Sequence, residues 1–165
     1  MDDISNQKTS KTLRKRDDII RHAFQCFFRH GFKTTSVDQA LVGTGISKRT
    51  LYKYFATKED VIVATLEHYH TLMMNQLTQS FAQPYSYHER ICNFFDVQAG
   101  LLKATNFCGC YAIRAQSEYA RTHAGIESAC NKYFDDIIFI LIKNCDDPSR
   151  AEETAHYRRQ HALRV

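Results

Sequence analysis

Residues 36–55 read SVDQALVGTGISKRTLYKYF. This stretch holds two helix starts and one break. Ser36 is followed three residues on by Gln39, the spacing of a capping box. In such a box the serine hydroxyl accepts from the third helical amide, and the glutamine side chain reaches back to the serine amide. Val37, Ala40 and Leu41 then recur at helical spacing and predict a short helix over 37–43. Gly43-Thr44-Gly45 breaks it, and Ile46 is the single apolar residue of the turn. Ser47 can cap a second short helix over 48–54. Within it Leu51 and Phe55 lie four apart and face inward. Lys48, Arg49, Tyr52 and Lys53 are left on the outer face, with Tyr54 on their flank.

Upstream, Ile19, Ile20, Ala23, Phe24, Phe27 and Phe28 fall at i, i+3, i+4 spacings and predict a helix over 16–30, closed by His30-Gly31. Downstream, Thr57-Lys58-Glu59-Asp60 is a further helix start. One helix ahead of two short helices joined by a glycine turn is the tri-helical arrangement that seats its last helix in a DNA major groove. The outward residues suit that task. Arginine and lysine donate to guanine or to phosphate, and tyrosine hydroxyls suit phosphate oxygens. Lys58 can add a phosphate contact beside the amides that open its helix.

Charge is distributed accordingly. Residues 1–60 carry twelve Lys/Arg against seven Asp/Glu, whereas the remainder carries ten against eleven. A basic third beside a neutral remainder fits a nucleic-acid module joined to a second domain. The 165 residues, 44% hydrophobic, suffice for one or two small cores. Two prolines and six glycines leave long uninterrupted stretches, so an all-α chain is expected. No run of 18 apolar residues occurs, and the polar N-terminus lacks the apolar core of a secretory signal. These features point to a cytoplasmic protein without a membrane span. No glycine-rich phosphate loop, nucleophile elbow or HExxH motif is present, so an enzyme is not expected, nor is a cofactor or a metal.

The N-terminal stretch resembles the TetR/AcrR family of regulators. The resemblance rests on Ile19-Ile20, Ala23, Phe27, Gly31-Phe32, Thr35-Ser36-Val37, Gly45-Ile46-Ser47, Thr50-Leu51-Tyr52-Lys53-Tyr54-Phe55 and Lys58-Glu59, in unbroken spacing over about 45 residues. Ala40-Leu41 stands where the family has Ile-Ala, and Thr44 where it often has Ala. Carried over by position, the resemblance implies DNA contacts from Ser36, Lys48, Arg49, Thr50, Tyr52, Lys53, Tyr54 and Lys58. It also implies a ligand-responsive repressor that binds a palindromic operator in double-stranded DNA as a homodimer and releases it on binding a small-molecule effector. The expected organisation is a disordered basic arm over 1–15, a helix-turn-helix domain over 16–60, and a helical ligand-binding and dimerisation domain over 61–165.

In that second domain, apolar periodicity predicts helices over 58–81, 86–104, 110–121 and 123–144. Phe94, Phe95, Phe107, Tyr111, Tyr119 and Phe134 are candidates to line an effector pocket, although each also fits ordinary core packing. Cys26 lies in the apolar stripe of the first helix and reads as core. The six cysteines read as reduced thiols. Asn106-Phe107-Cys108-Gly109-Cys110-Tyr111, with Ala115 and Glu118, resembles the Gly-Cys…Ala…Glu stretch of one subset of the family. Cys110 at a helix start admits a thiol-based redox or electrophile sensor using Cys108 and Cys110 as an alternative. A new helix start is expected at Pro148, 17 residues before the last residue printed, and residues 156–161 are strongly polar. The bundle is therefore apparently short at its C-terminus, and a truncated regulator with weakened dimerisation is a further expectation.

Overall fold

The computed structural model describes residues 3–82, 86–103, 108–119 and 121–144. These residues form seven helices and no strand: α1 (Asp3–His30), α2 (Val37–Leu41), α3 (Lys48–Leu51), α4 (Lys58–Ser80), α5 (Tyr87–Lys103), α6 (Tyr111–Tyr119) and α7 (Ala124–Asn144). The all-α expectation holds. Phe107 and the expected helix start at Pro148 lie outside the described residues. None of the helices is long and apolar enough to cross a membrane.

α1 differs most from its expected span. It starts at Asp3 rather than Arg16, so residues 3–15 continue a helix where a disordered arm was expected. Those residues contain neither Gly nor Pro, and extending a helix already nucleated costs far less than starting one. An apolar stripe is thus not required there. The two helices of the quoted stretch are also shorter than their patterns suggest. α2 stops at Leu41, and α3 tightens after Leu51, where Lys53 donates to Thr50 O (3.2 Å) and Tyr54 to Leu51 O (2.9 Å). Such i→i+3 bonds close short helices near their ends.

Packing divides the chain into two units that do not follow the functional division expected at residue 60. Among the described residues, the first comprises 3–71, 108–119 and 121–132, the second 72–82, 86–103 and 133–144. In the first, Ile19, Ala23 and Phe27 of α1 are buried with Leu51 of α3, Val61, Ile62 and Leu66 of α4, Tyr111, Ala112 and Ala115 of α6, and Ile126 of α7. Burying a side chain of this size contributes about 1.5–3 kcal/mol. Tyr111 lies at the centre of an aromatic group, with ring centroids 4.9 Å from Phe24, 4.7 Å from Phe32 and 5.4 Å from Tyr69. Its hydroxyl donates to Thr65 Oγ1 at 2.8 Å, and Thr65 donates in turn to Ile62 O at 2.7 Å. That chain satisfies two polar groups that would otherwise be stranded in the core.

The second unit buries Met73, Leu77, Phe81 and Tyr133. Its α5 opens with a capping box of Ser86 and Glu89, whose carboxyl is held below its usual range by bonds from Ser86. Asn93 donates to Ser80 O (2.8 Å) and Arg90 to Asn144 O (3.0 Å), so α5 side chains satisfy carbonyls at the ends of α4 and α7.

Candidate nucleic-acid interface

The helix-turn-helix lies wholly in the first unit. The capping box of α2 is present in both directions: Gln39 N donates to Ser36 Oγ (3.2 Å), and Ser36 N to Gln39 Oε1 (2.7 Å). The turn is made by Gly43 and Gly45, both at positive φ (78° and 66°), where any other L-residue is strained. Thr44 braces it. Its hydroxyl donates to Leu41 O (2.8 Å) and accepts from Ile46 N (3.0 Å). The departure from Ala at this position therefore adds a tie between the two helices. At the start of α3, Thr50 N donates to Ser47 Oγ (3.1 Å), and the two hydroxyls lie 2.9 Å apart.

This frame places the expected side chains as follows. Lys48, Arg49 and Lys53 are exposed, and Tyr52 is 44% exposed despite its ring. Tyr54 is half-buried. Ser36 is exposed, though its hydroxyl already accepts the α2 amide, and Thr50 is half-buried and tied to Ser47. Lys58, half-buried, is the first residue of α4. The start of α4 is fixed by Thr57 and Asp60: Thr57 N donates to Asp60 Oδ2 (2.8 Å), and Asp60 N to Thr57 Oγ1 (3.1 Å). Bonds to the carboxylate from the Thr57 side chain and amide hold the Asp60 carboxyl below its ordinary value of 3.8.

One partner was missed. Asp38 of α2 accepts from Lys48 Nζ at 3.0 Å, and both side chains face solvent. The ion pair keeps the Lys48 ammonium protonated beyond its ordinary range. No local pattern signals it, because the two residues stand ten apart across a turn.

A second set of missed contacts comes from α6. The Glu118 carboxylate accepts from Phe32 N (3.0 Å) and Lys33 N (2.6 Å), directly after α1. Arg114 donates to Phe28 O (2.8 Å), a carbonyl left over at the α1 C-terminus, and lies 3.5 Å from Glu118. Gly31, at φ 89°, lets both approach: a Cβ there would stand 2.9 Å from Arg114 Nη2. The only sequence signal was Glu118 in the weaker resemblance, without a role.

Of the expected effector-pocket residues, Phe107 lies outside the described residues and the other five divide between the two units. Tyr111 and Tyr119 are core residues of the first unit. Burial pushes the Tyr119 hydroxyl up to about 12, with the Glu59 carboxylate beside it as a further cause. Phe94, Phe95 and Phe134 belong to the second unit, and Phe95 is 64% exposed. Two clefts of the first unit, of about 460 and 410 Å³, are lined by none of these residues. Cys26, expected in the core, is half-buried and lines the smaller cleft. None of the five described cysteines is in a disulfide. Cys108 is exposed, while Cys110 is half-buried with the Tyr69 hydroxyl 3.9 Å from its sulfur. Among the described residues, no group of three or more His, Cys, Asp or Glu is placed to hold a metal ion.

Residues 19–65 match the model of bacterial regulatory proteins of the tetR family. Over those residues the chain resembles that family. It is 34% identical over 56 residues to the HTH-type transcriptional regulator TcmR of Streptomyces glaucescens, which is 34% of this chain and 25% of that protein. It is 30% identical over 63 residues to the uncharacterized HTH-type transcriptional regulator YerO of Bacillus subtilis, 38% of this chain and 22% of that one. The aligned stretch thus spans about a quarter of each curated relative. The fold extends further than the sequence likeness. Reduced NemR of E. coli superposes with a TM-score of 0.70 at 20% identity over 88% of this chain and 72% of its own. A TetR-family regulator from Cytophaga hutchinsonii gives 0.65 at 19% identity over 93% and 84%.

Proposed function

We propose that this TetR-family protein acts in the cytoplasm as a repressor, binding a palindromic operator as a homodimer and releasing it when a small-molecule effector binds. The observation that carries the reading is the exposed face of α3. Arg49, Tyr52 and Lys53 stand outward on a short helix that is capped by Ser47, braced by Thr44 and anchored by Leu51. Cationic and hydroxyl groups on such a helix meet phosphate and guanine in the major groove, and Lys58 reaches phosphate beside the first amides of α4. The ties from Arg114 and Glu118 to the end of α1 support the effector part, because a displacement of α6 would be felt in the helix-turn-helix. The test is affinity for duplex DNA as a function of salt. With several phosphate contacts the affinity falls steeply between about 50 and 200 mM salt, with a log–log slope of about −0.9 per contact. Replacing Lys53 by glutamine is expected to reduce that slope by about one. A salt-independent or absent interaction would reject the reading.

A second reading rests on Cys110. It is half-buried at the start of α6, where Arg114 N donates to its carbonyl, and α6 carries the ties to α1. A thiol-based sensor would attack an electrophile through Cys110 or the exposed Cys108, and the adduct would disturb α6. Burial pushes the nearby Cys130 thiol up to about 11, which makes it a poor nucleophile. Mass spectrometry after brief exposure to N-ethylmaleimide, paired with duplex binding, tests it. Modification of Cys108 or Cys110 with loss of binding supports the sensor, and modification without loss rejects it.

A further inference from the structure

An acid on a surface that meets DNA calls for an explanation. Asp38 is such an acid, with its side chain 67% exposed and its Oδ2 atom 3.0 Å from Lys48 Nζ. A carboxylate there repels phosphate and holds an ammonium that could otherwise bind it. Non-specific duplex affinity comes almost entirely from cation–phosphate contacts, so Asp38 lowers it. A carboxylate is tolerated in the major groove where a base offers an amino group. Cytosine offers N4–H₂, and the guanine opposite offers O6 and N7 as acceptors for a lysine. An acceptor and a donor 3.0 Å apart on α2 and α3 therefore complement the edge of a cytosine–guanine pair.

We propose that Asp38 is a specificity-determining residue of the DNA face: paired with Lys48, it withholds that ammonium from phosphate on random sequence and, at the correct site, reads a cytosine–guanine pair jointly with it. This rests on the duplex-binding reading above. The pair acts as a filter. On a matched base pair both charged groups exchange their mutual bond for base contacts. On an adenine–thymine pair the amino group is offered, but adenine N7 stands beside the carboxylate and the thymine methyl replaces guanine N7 beside the lysine, and on the reversed pairs the carboxylate faces O6 or O4.

The experiment uses the full chain, Asp38→Asn, Lys48→Gln and the double variant. Sites are selected from a random duplex pool with each protein, and affinities for the selected and a scrambled duplex are measured across salt. The unaltered chain is expected to select one invariant cytosine–guanine pair per half-site, at a position that both single variants relax by about tenfold. Asp38→Asn is expected to tighten binding to the scrambled duplex several-fold and to steepen its log–log salt slope by about one. In the Lys48→Gln background Asp38→Asn leaves that slope unchanged, a result that loss of α2 structure would not give. Equal shifts on both duplexes with no base position relaxed would overturn the proposal and leave duplex binding standing. Failure of the unaltered chain to bind any duplex would remove both.

Discussion

Glu118 holds together parts of the chain that are far apart in sequence. Two backbone amides after α1 donate to its carboxylate, and neither has another described acceptor. Replacing it by glutamine removes a charged acceptor, and bonds of that kind contribute about 1.5–3 kcal/mol. A lower Tm with unchanged helix content at low temperature is the expected result. Gly31→Ala is expected to destabilise by at least about 1–2 kcal/mol, since φ is positive and the new Cβ meets Arg114. Chemical denaturation measures it, and an unchanged midpoint would contradict the packing described. The contacts of these residues were illegible in the sequence for a common reason. Their partners lie 85 or 86 positions away, and periodicity reports only on neighbours along a helix. Asp38 escaped for the same reason across a shorter distance. Tyr111 illustrates the opposite failure, a large aromatic that fits a pocket or a core equally well until its hydroxyl is found bonded to Thr65.

At the level of elements the caps were the legible part. Ser36 with Gln39, Ser47, and Thr57 with Asp60 all occupy the roles their spacing announced, because a cap is a local exchange between a side chain and amides two or three residues away. Helix lengths were less legible. The start of α1 was set by helix continuation rather than by an apolar stripe, and the end of α3 by tightening of its last turn. Ser47→Ala is expected to lower stability by about 1 kcal/mol and to weaken duplex binding, since α3 has one turn and one cap. Asp60 gives a pH dependence. Its folded-state pKa lies below the ordinary 3.8, so its contribution is present above that value and is lost as pH falls through the lower folded value. Asp60→Asn should therefore remove part of the acid sensitivity of unfolding below about pH 4. An identical acid profile in the variant would place that sensitivity elsewhere.

On the scale of the whole molecule, the excess of basic residues is confined to the first sixty, and α2 and α3 lie in a unit that also contains α6 and the start of α7. The sequence announced the DNA-binding segment, where the pattern is local and dense. It did not announce how α6 would be shared with that segment, since its ties are made by backbone groups that carry no sequence signature. We propose that α2, the turn and α3 bind duplex DNA specifically, two copies at a time. Selection of bound sites by the unaltered chain from a random duplex pool tests it most directly. The expected result is a palindrome whose half-sites lie about 34–36 Å apart, one helical turn or a multiple of it. A pool that remains unenriched after repeated rounds at moderate salt would contradict it.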